Sequence, residues 1–186
     1  MPGHVIFSHG SDSGPEATKV SALARVAEAL GWSTFRPDYR EEDKLGYAGC
    51  VPPRVARLVD SMQGRPSPLV LAGSSMGAFV SGLASLRAAC DGLFLIALPI
   101  DIPDCPQRFD AARGVPGMLV HGYRDEMCPV DAAVAFTRER GMPALLLDDD
   151  HRLGNHVAVL ERQFELFLRT VAIDERPTHD DPITTA

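Results

Sequence analysis

The sequence predicts an α/β domain, a single doubly wound unit of about six mostly parallel strands with helices on both faces. Three observations carry this. Short apolar runs alternate with longer segments whose apolar residues recur at three- and four-residue steps, the signature of strands alternating with amphipathic helices. One run, Leu93 to Leu98 (LFLIAL), is apolar throughout, as in a strand covered on both faces. The chain has 186 residues, 45% hydrophobic and 23% charged, which is enough for one continuous core and ordinary for a soluble globular protein.

The elements follow in order. Residues 4–8 (HVIFS) form a first strand that runs into His9-Gly10-Ser11-Asp12-Ser13-Gly14-Pro15, a loop of glycines and small polar residues with Pro15 at a helix start. Val20, Leu23, Ala24, Ala27 and Leu30 give the first helix its apolar face, and Gly31 ends it. Residues 32–37 make a shorter second strand. Residues 38–50 are polar, show no period and read as loop. A helix over 53–62 presents Val55, Leu58, Val59 and Met62 on one side. After the Pro66-Ser67-Pro68 break, Leu69, Val70, Leu71 and Ala72 form the third strand. Phe79, Val80, Leu83 and Leu86 then mark a helix with one buried face. Residues 93–98 are the fourth strand, and 99–117 an irregular stretch with four prolines. Strand 118–121, helix 130–140, strand 144–147 and a final helix over 155–172 complete the alternation. Val159, Phe164, Phe167 and Leu168 are the core candidates of that last helix. The domain is expected to span 1–173, and 174–186, polar and proline-containing, is expected to be a disordered tail.

Composition narrows the function classes. A net charge of −7 with no basic run argues against a nucleic-acid partner. Lys19 and Lys44 are the only lysines, a bias with no functional content of its own. The start MPGHVIFSHG lacks the basic opening and cleavage site of a signal peptide, and no apolar run reaches the roughly 20 residues that span a bilayer. No membrane association is therefore expected. Cys50, Cys90, Cys105 and Cys128 are scattered without a C-x-x-C pair, which favours a cytoplasmic protein with reduced thiols and gives no support for zinc. No cofactor is expected.

The chemistry concentrates where the third strand meets its helix. Gly73-Ser74-Ser75-Met76-Gly77 matches G-x-S-x-G. A serine at a sharp strand-to-helix turn holds strained backbone angles and presents its hydroxyl clear of the sheet. The turn brings strand and helix backbones close, so positions two before and two after must lack bulk. The helix start aims free N–H groups at the place where an oxyanion would form. Ser75 is thus the candidate nucleophile, with the Met76 N–H as one oxyanion donor. The bland alternative is a small-residue turn that merely lets a helix pack on a strand. Right-handed crossovers place the strand-end loops on one sheet edge, where open α/β sheets bind ligands. Residues 8–14, 73–77, 121–131 and 148–153 share that edge.

A serine hydroxyl needs a base, and the base needs a carboxylate to fix its tautomer. After the fifth strand comes HGYRDEMCPV (residues 121–130), and after the sixth DDDHRL (residues 148–153). Ser75, Asp125 and His151 stand in the serine, acid, histidine order of the α/β-hydrolase fold. Asp101 on the loop after the fourth strand is the alternative acid, ahead of Glu126, Asp131 and Asp104. His156 reads as a packing residue inside the last helix, and His179 lies in the tail. The acids 148–150 could offer oxygens to a hard cation, but three consecutive acids without spaced ligands read as a solvated turn. His9 reads as a structural brace of its loop. Cys128 has no partner base and is assigned no chemistry.

With SHGSDSGP, GSSMG, HGYRDEMCPV and DDDHRL in order, nearly the whole chain resembles a small α/β hydrolase. The resemblance is to the compact, lid-poor YqiA/YcfP-like branch. It implies a serine hydrolase that cleaves esters or thioesters through an acyl-enzyme, and a short sheet with the first strand beside the third. It also implies Ser75 as nucleophile, Asp125 as orienting acid, His151 as general base and the Ser11 N–H as second oxyanion donor, with Asp12 as its substitute. The implied partner is a small-molecule ester or thioester; the oligomeric state is left open. With only 99–117 to cover the serine, an open site favouring short acyl chains is expected. Two other readings compete: a non-catalytic interaction module on the same fold, and a phosphate-binding protein using SHGSDSG as an anion cradle. The second lacks both G-x-x-x-x-G-K-[ST] and G-x-G-x-x-G.

Overall fold

The computed structural model describes residues 2–173, and the expected tail lies outside them. Six strands, β1 (His4–Ser8), β2 (Ser33–Phe35), β3 (Leu69–Ser74), β4 (Gly92–Ile96), β5 (Gly117–Gly122) and β6 (Ala144–Leu147), form one sheet in the order β2-β1-β3-β4-β5-β6. Every neighbouring pair is parallel. The chain steps outward from β1 to β2, then crosses back over β1 to lay β3 on its other side. The order reverses between β1 and β3, so the crevice of this sheet opens at their carboxyl ends. Those ends carry His9 and Ser75.

Strand residues alternate between two cores because successive side chains leave opposite faces. Ile6, Leu71, Leu93, Leu95 and Leu119 pack with α4 (Val51–Met62), α5 (Met76–Ser85) and α6 (Val130–Arg140). Val5, Phe7, Val70, Phe94, Ile96 and Val120 pack under α1 (Thr18–Ala29) and α7 (Val157–Ile173). On this second face Phe94 meets Phe164 edge-on at 4.9 Å between ring centroids, and Phe7 meets it at 5.6 Å. Burying one such ring is worth about 1.5–3 kcal/mol, so Phe164 fastens α7 across β1 and β4.

Four local expectations need correction. Residues 38–50 are not plain loop: two short helices, α2 (Arg40–Asp43) and α3 (Gly46–Gly49), occupy most of them. Four-residue helices are too short to show a period. The helix after Ser75 buries all ten of its residues rather than one face, because 99–117 folds over its outer side. Phe109 reaches Gly82 there, where a Cβ would strike its ring; Leu86, one residue past the helix, is exposed. In the last helix the buried stripe is Leu160, Phe164, Phe167, Leu168 and Val171, which leaves Val159 exposed. Finally, His156 lies in a 3₁₀ turn ahead of that helix instead of inside it. Among the described residues no helix is long and apolar enough to cross a membrane.

Candidate active site

Ser75 sits between β3 and α5 with φ 56° and ψ −123°, a region that costs a non-glycine residue about 1–3 kcal/mol. Neighbours hold it there. Its N–H donates to the Ile96 carbonyl at the end of β4 (2.8 Å), and its carbonyl accepts from the Ala78 N–H (2.8 Å). The flanking glycines are needed for backbone contact: a Cβ on Gly73 would collide with the Gly77 carbonyl, and one on Gly77 with the Ser8 carbonyl. Met76 opens α5, so its N–H has no partner within the helix.

Two other loops reach Ser75. His151 follows β6, and its Nε2 lies 3.0 Å from the Ser75 Oγ. Its Nδ1 lies 2.8 Å from the Asp125 Oδ2, on the loop after β5. Ser75 and His151 are partly accessible and Asp125 is buried. The structure therefore brings together the three side chains singled out from the sequence. Asp101, the alternative acid, is exposed.

Asp125 is built in firmly. Its Oδ1 accepts the N–H groups of Met127 (3.0 Å) and Cys128 (2.8 Å) in an Asx-type turn. The fully buried His121 donates its Nε2–H to the Cys128 carbonyl at 2.8 Å, and the same nitrogen lies 3.3 Å from the Asp125 Oδ2. Burial pushes the Asp125 carboxyl up. Hydrogen bonds from His121, His151 and the Cys128 N–H outweigh that and hold it well below the usual carboxylate range.

The acidic run before His151 is not simply solvated. Asp148 is exposed and faces Arg124 at 3.4 Å, but Asp149 is buried. Asp149 accepts the N–H of Asp150 (2.9 Å) and of Asn155 (3.0 Å), the Asn155 side-chain amide (3.2 Å) and the His156 Nδ1–H (2.8 Å). The hydrogen bond from His156, followed by those from the backbone, holds its carboxyl down at about 2. Asp149 thus ties the turn that carries His151, and His156 is its partner rather than a packing residue. Gly122 lets the two loops meet, since a Cβ there would press on the Asp149 and Asp150 carbonyls.

On the other side of Ser75, the loop after β1 is held from outside. Gly10 passes so near that a Cβ on it would sit 3.4 Å from the Ser75 Cβ. His9 braces the loop: its Nδ1–H donates to the Gly10 carbonyl (2.7 Å) and its Nε2 accepts the Tyr39 N–H (3.0 Å). Burial lowers the pKa of His9 and keeps that ring neutral, as the acceptor role requires. Arg54 of α4, with no exposed surface, donates to the His9 carbonyl (2.8 Å) and the Gly10 carbonyl (3.3 Å). Its other edge grips Asp43 of α2, with Nε 2.7 Å from Oδ1, and its guanidinium lies 4.7 Å from the Tyr39 ring centre. Ser11 follows Gly10, and among the described residues its N–H meets no protein acceptor. Asp12, with φ 56°, instead accepts the Tyr47 hydroxyl (2.9 Å).

Tyr39, Asp43 and Arg54 carry no motif, and reading the sequence missed them; His121 and Asp149 lie inside quoted motifs, but their supporting roles were not read from them. A metal fits poorly. Asp125, Cys128 and His151 bring donor atoms within 4.8 Å of one another. However, the first and last are hydrogen-bonded to each other, and burial pushes the Cys128 thiol up to about 12, away from the thiolate a metal needs. A cleft of about 620 Å³ lies at the opposite edge of the sheet, lined by residues such as Pro116, Phe136 and Met142 and sharing none with the Ser75 site.

Known proteins share this fold. A protein from Xanthomonas campestris pv. campestris, described as a candidate hydrolase of the alpha/beta superfamily, is 41% identical over 90% of this chain and 99% of its own, with a TM-score of 0.83. The chain belongs to the alpha/beta hydrolase superfamily. A lid-less serine hydrolase of that fold from Xanthomonas campestris superposes with a TM-score of 0.66 at 20% identity, covering 89% of this chain and 81% of the other. An esterase from Pyrococcus furiosus does so at 0.69 and 15%, covering 91% and 83%; likenesses this distant concern the fold alone. No protein-family model and no curated relative matches the chain.

Proposed function

We propose that this hydrolase is a serine esterase or thioesterase that cleaves a small acyl substrate through an acyl-enzyme. Ser75 is the nucleophile. His151 takes the Ser75 proton at Nε2 as the oxygen attacks the carbonyl carbon, then returns it to the leaving alcohol or thiol. Asp125 holds the opposite nitrogen, fixing the tautomer and stabilising the imidazolium. The Met76 and Ser11 N–H groups receive the developing oxyanion, each worth about 10²–10³ in rate. Water then repeats the sequence against the acyl-enzyme. We further read residues 1–173 as one domain of the YqiA/YcfP-like branch, with a site suited to short acyl chains. The four free cysteines accord with a cytoplasmic setting.

The observation that carries the reading is the continuous chain of contacts, Ser75 Oγ to His151 Nε2 at 3.0 Å and His151 Nδ1 to Asp125 Oδ2 at 2.8 Å. Its test is a fluorophosphonate probe beside a panel of esters and thioesters from two to sixteen acyl carbons. The wild type is expected to be labelled at Ser75 and to favour the short esters, and Ser75→Ala to lose labelling and turnover while melting like the wild type. An unlabelled wild type with no turnover would leave the non-catalytic module as the better account. Rates rising steadily to sixteen carbons would overturn the open-site expectation.

A further inference from the structure

Lys19, one of only two lysines in the chain, stands in the first turn of α1, remote in sequence from both Asp125 and His151. Its Nζ donates to the backbone carbonyl of His151 at 3.2 Å, across 132 positions of chain. Lysine ammoniums are strongly hydrated and are almost never withdrawn from water without partners. This one is largely withdrawn, and the carboxylates of Asp125, Asp150 and Asp149 all pull on it; Arg152 alone pushes back. Burial takes its pKa down to about 8 against those three acids, so the group still carries most of its charge at pH 7. The Cys128 thiol also feels that charge.

We propose that Lys19 is a positioning residue for His151, holding its carbonyl with an ammonium whose positive charge acts on the loop where His151 Nδ1 meets the Asp125 carboxylate. This rests on the catalytic reading of His151 above. Two effects follow from one ammonium. The hydrogen bond fixes where the imidazole emerges relative to Ser75, and near-attack geometry is sensitive to shifts of about 1 Å. The charge offsets part of the Asp125 field, so the imidazole holds a proton less tightly than it would beside an uncompensated carboxylate.

The test compares Lys19→Met and Lys19→Arg with the wild type, reading kcat/KM against pH on a short-chain ester and the His151 Cε1–H signal by NMR. In Lys19→Met the acid limb is expected to move to higher pH, cutting the rate at pH 6 roughly three- to tenfold beyond any uniform loss. The His151 signal should titrate at correspondingly higher pH. Lys19→Arg keeps the charge and should return both toward the wild type. A purely structural role would lower the rate at all pH values without moving the limb, and that outcome overturns the proposal. So does a Lys19→Met protein with wild-type titration. The NMR titration needs no turnover, so it decides the matter even if the esterase reading fails, and Lys19→Gln, which also removes the charge, decides should Lys19→Met not fold.

Discussion

The two loops that flank Ser75 are held by opposite strategies. On the acid and histidine side most ties are short-range: Asp125 binds N–H groups two and three residues ahead and Asp149 binds groups one to seven residues ahead, with Lys19 the long-range exception. On the side proposed to hold the oxyanion, the loop after β1 is fixed by Arg54 and Tyr39, thirty or more residues away. The difference matches what each side must present. A side chain such as His151 can be aimed by the turn it stands on. A backbone N–H such as that of Ser11 can be aimed only by fixing the backbone itself, and the carbonyls of His9 and Gly10 are the available handles.

The sharpest way to break the comparison is on the acid side. Asp125→Asn is expected to lower kcat by about 10³–10⁴ because the amide presents the wrong partner to His151 Nδ1, while Asp101→Asn stays near the wild type. Steady-state kinetics on a short ester decide it, and the reverse pattern would move the acid to the loop after β4. On the oxyanion side, Arg54→Met leaves Asp43 and two loop carbonyls without their partner. It is expected to cost about 3–5 kcal/mol of stability in urea denaturation, as loss of one member of a buried pair does. Arg54→Lys should recover only part, because an ammonium cannot fork to both carbonyls and the carboxylate.

The smallest effect belongs to Asp149→Ala, expected to lower Tm by a few degrees and to loosen the His151 turn. Its pH signature is the more telling measurement. The folded-state pKa of Asp149 lies below its unfolded value of 3.8, so its contribution is present above pH 4 and is lost as pH falls toward about 2. Between those limits Tm of the Asp149→Ala protein should fall less steeply than that of the wild type.

This contrast also explains what could be read from the chain alone. Each strand and the main helices were legible because their periodicity is local, and G-x-S-x-G announced the strained turn because both glycines face backbone. That Ser75, Asp125 and His151 could meet was legible from loops sharing one sheet edge, and the resemblance to small α/β hydrolases, rather than the edge itself, favoured Asp125 over Asp101. Arg54 was invisible: in sequence it is one more arginine on a helix, and only the fold shows it inside. Lys19 is the same case. The short helices over Arg40–Asp43 and Gly46–Gly49 had no period to betray them, yet they supply Asp43 and Tyr47 to the oxyanion side.

The way β4 ends bears on how such a scaffold can be remodelled. Ile96 receives the Ser75 N–H through its carbonyl, and Ala97 donates to the Val120 carbonyl at 2.9 Å. Both ties lie upstream of residues 99–117, the segment that leaves β4 at the sheet edge carrying Ser75 and folds over the outer side of α5. Around Pro103 and Asp104 that segment is exposed. Extra residues spliced in there would lengthen the connection leaving the Ser75 edge while the anchorage of Ser75 stayed undisturbed, so the covering of the crevice could be engineered apart from the strained turn.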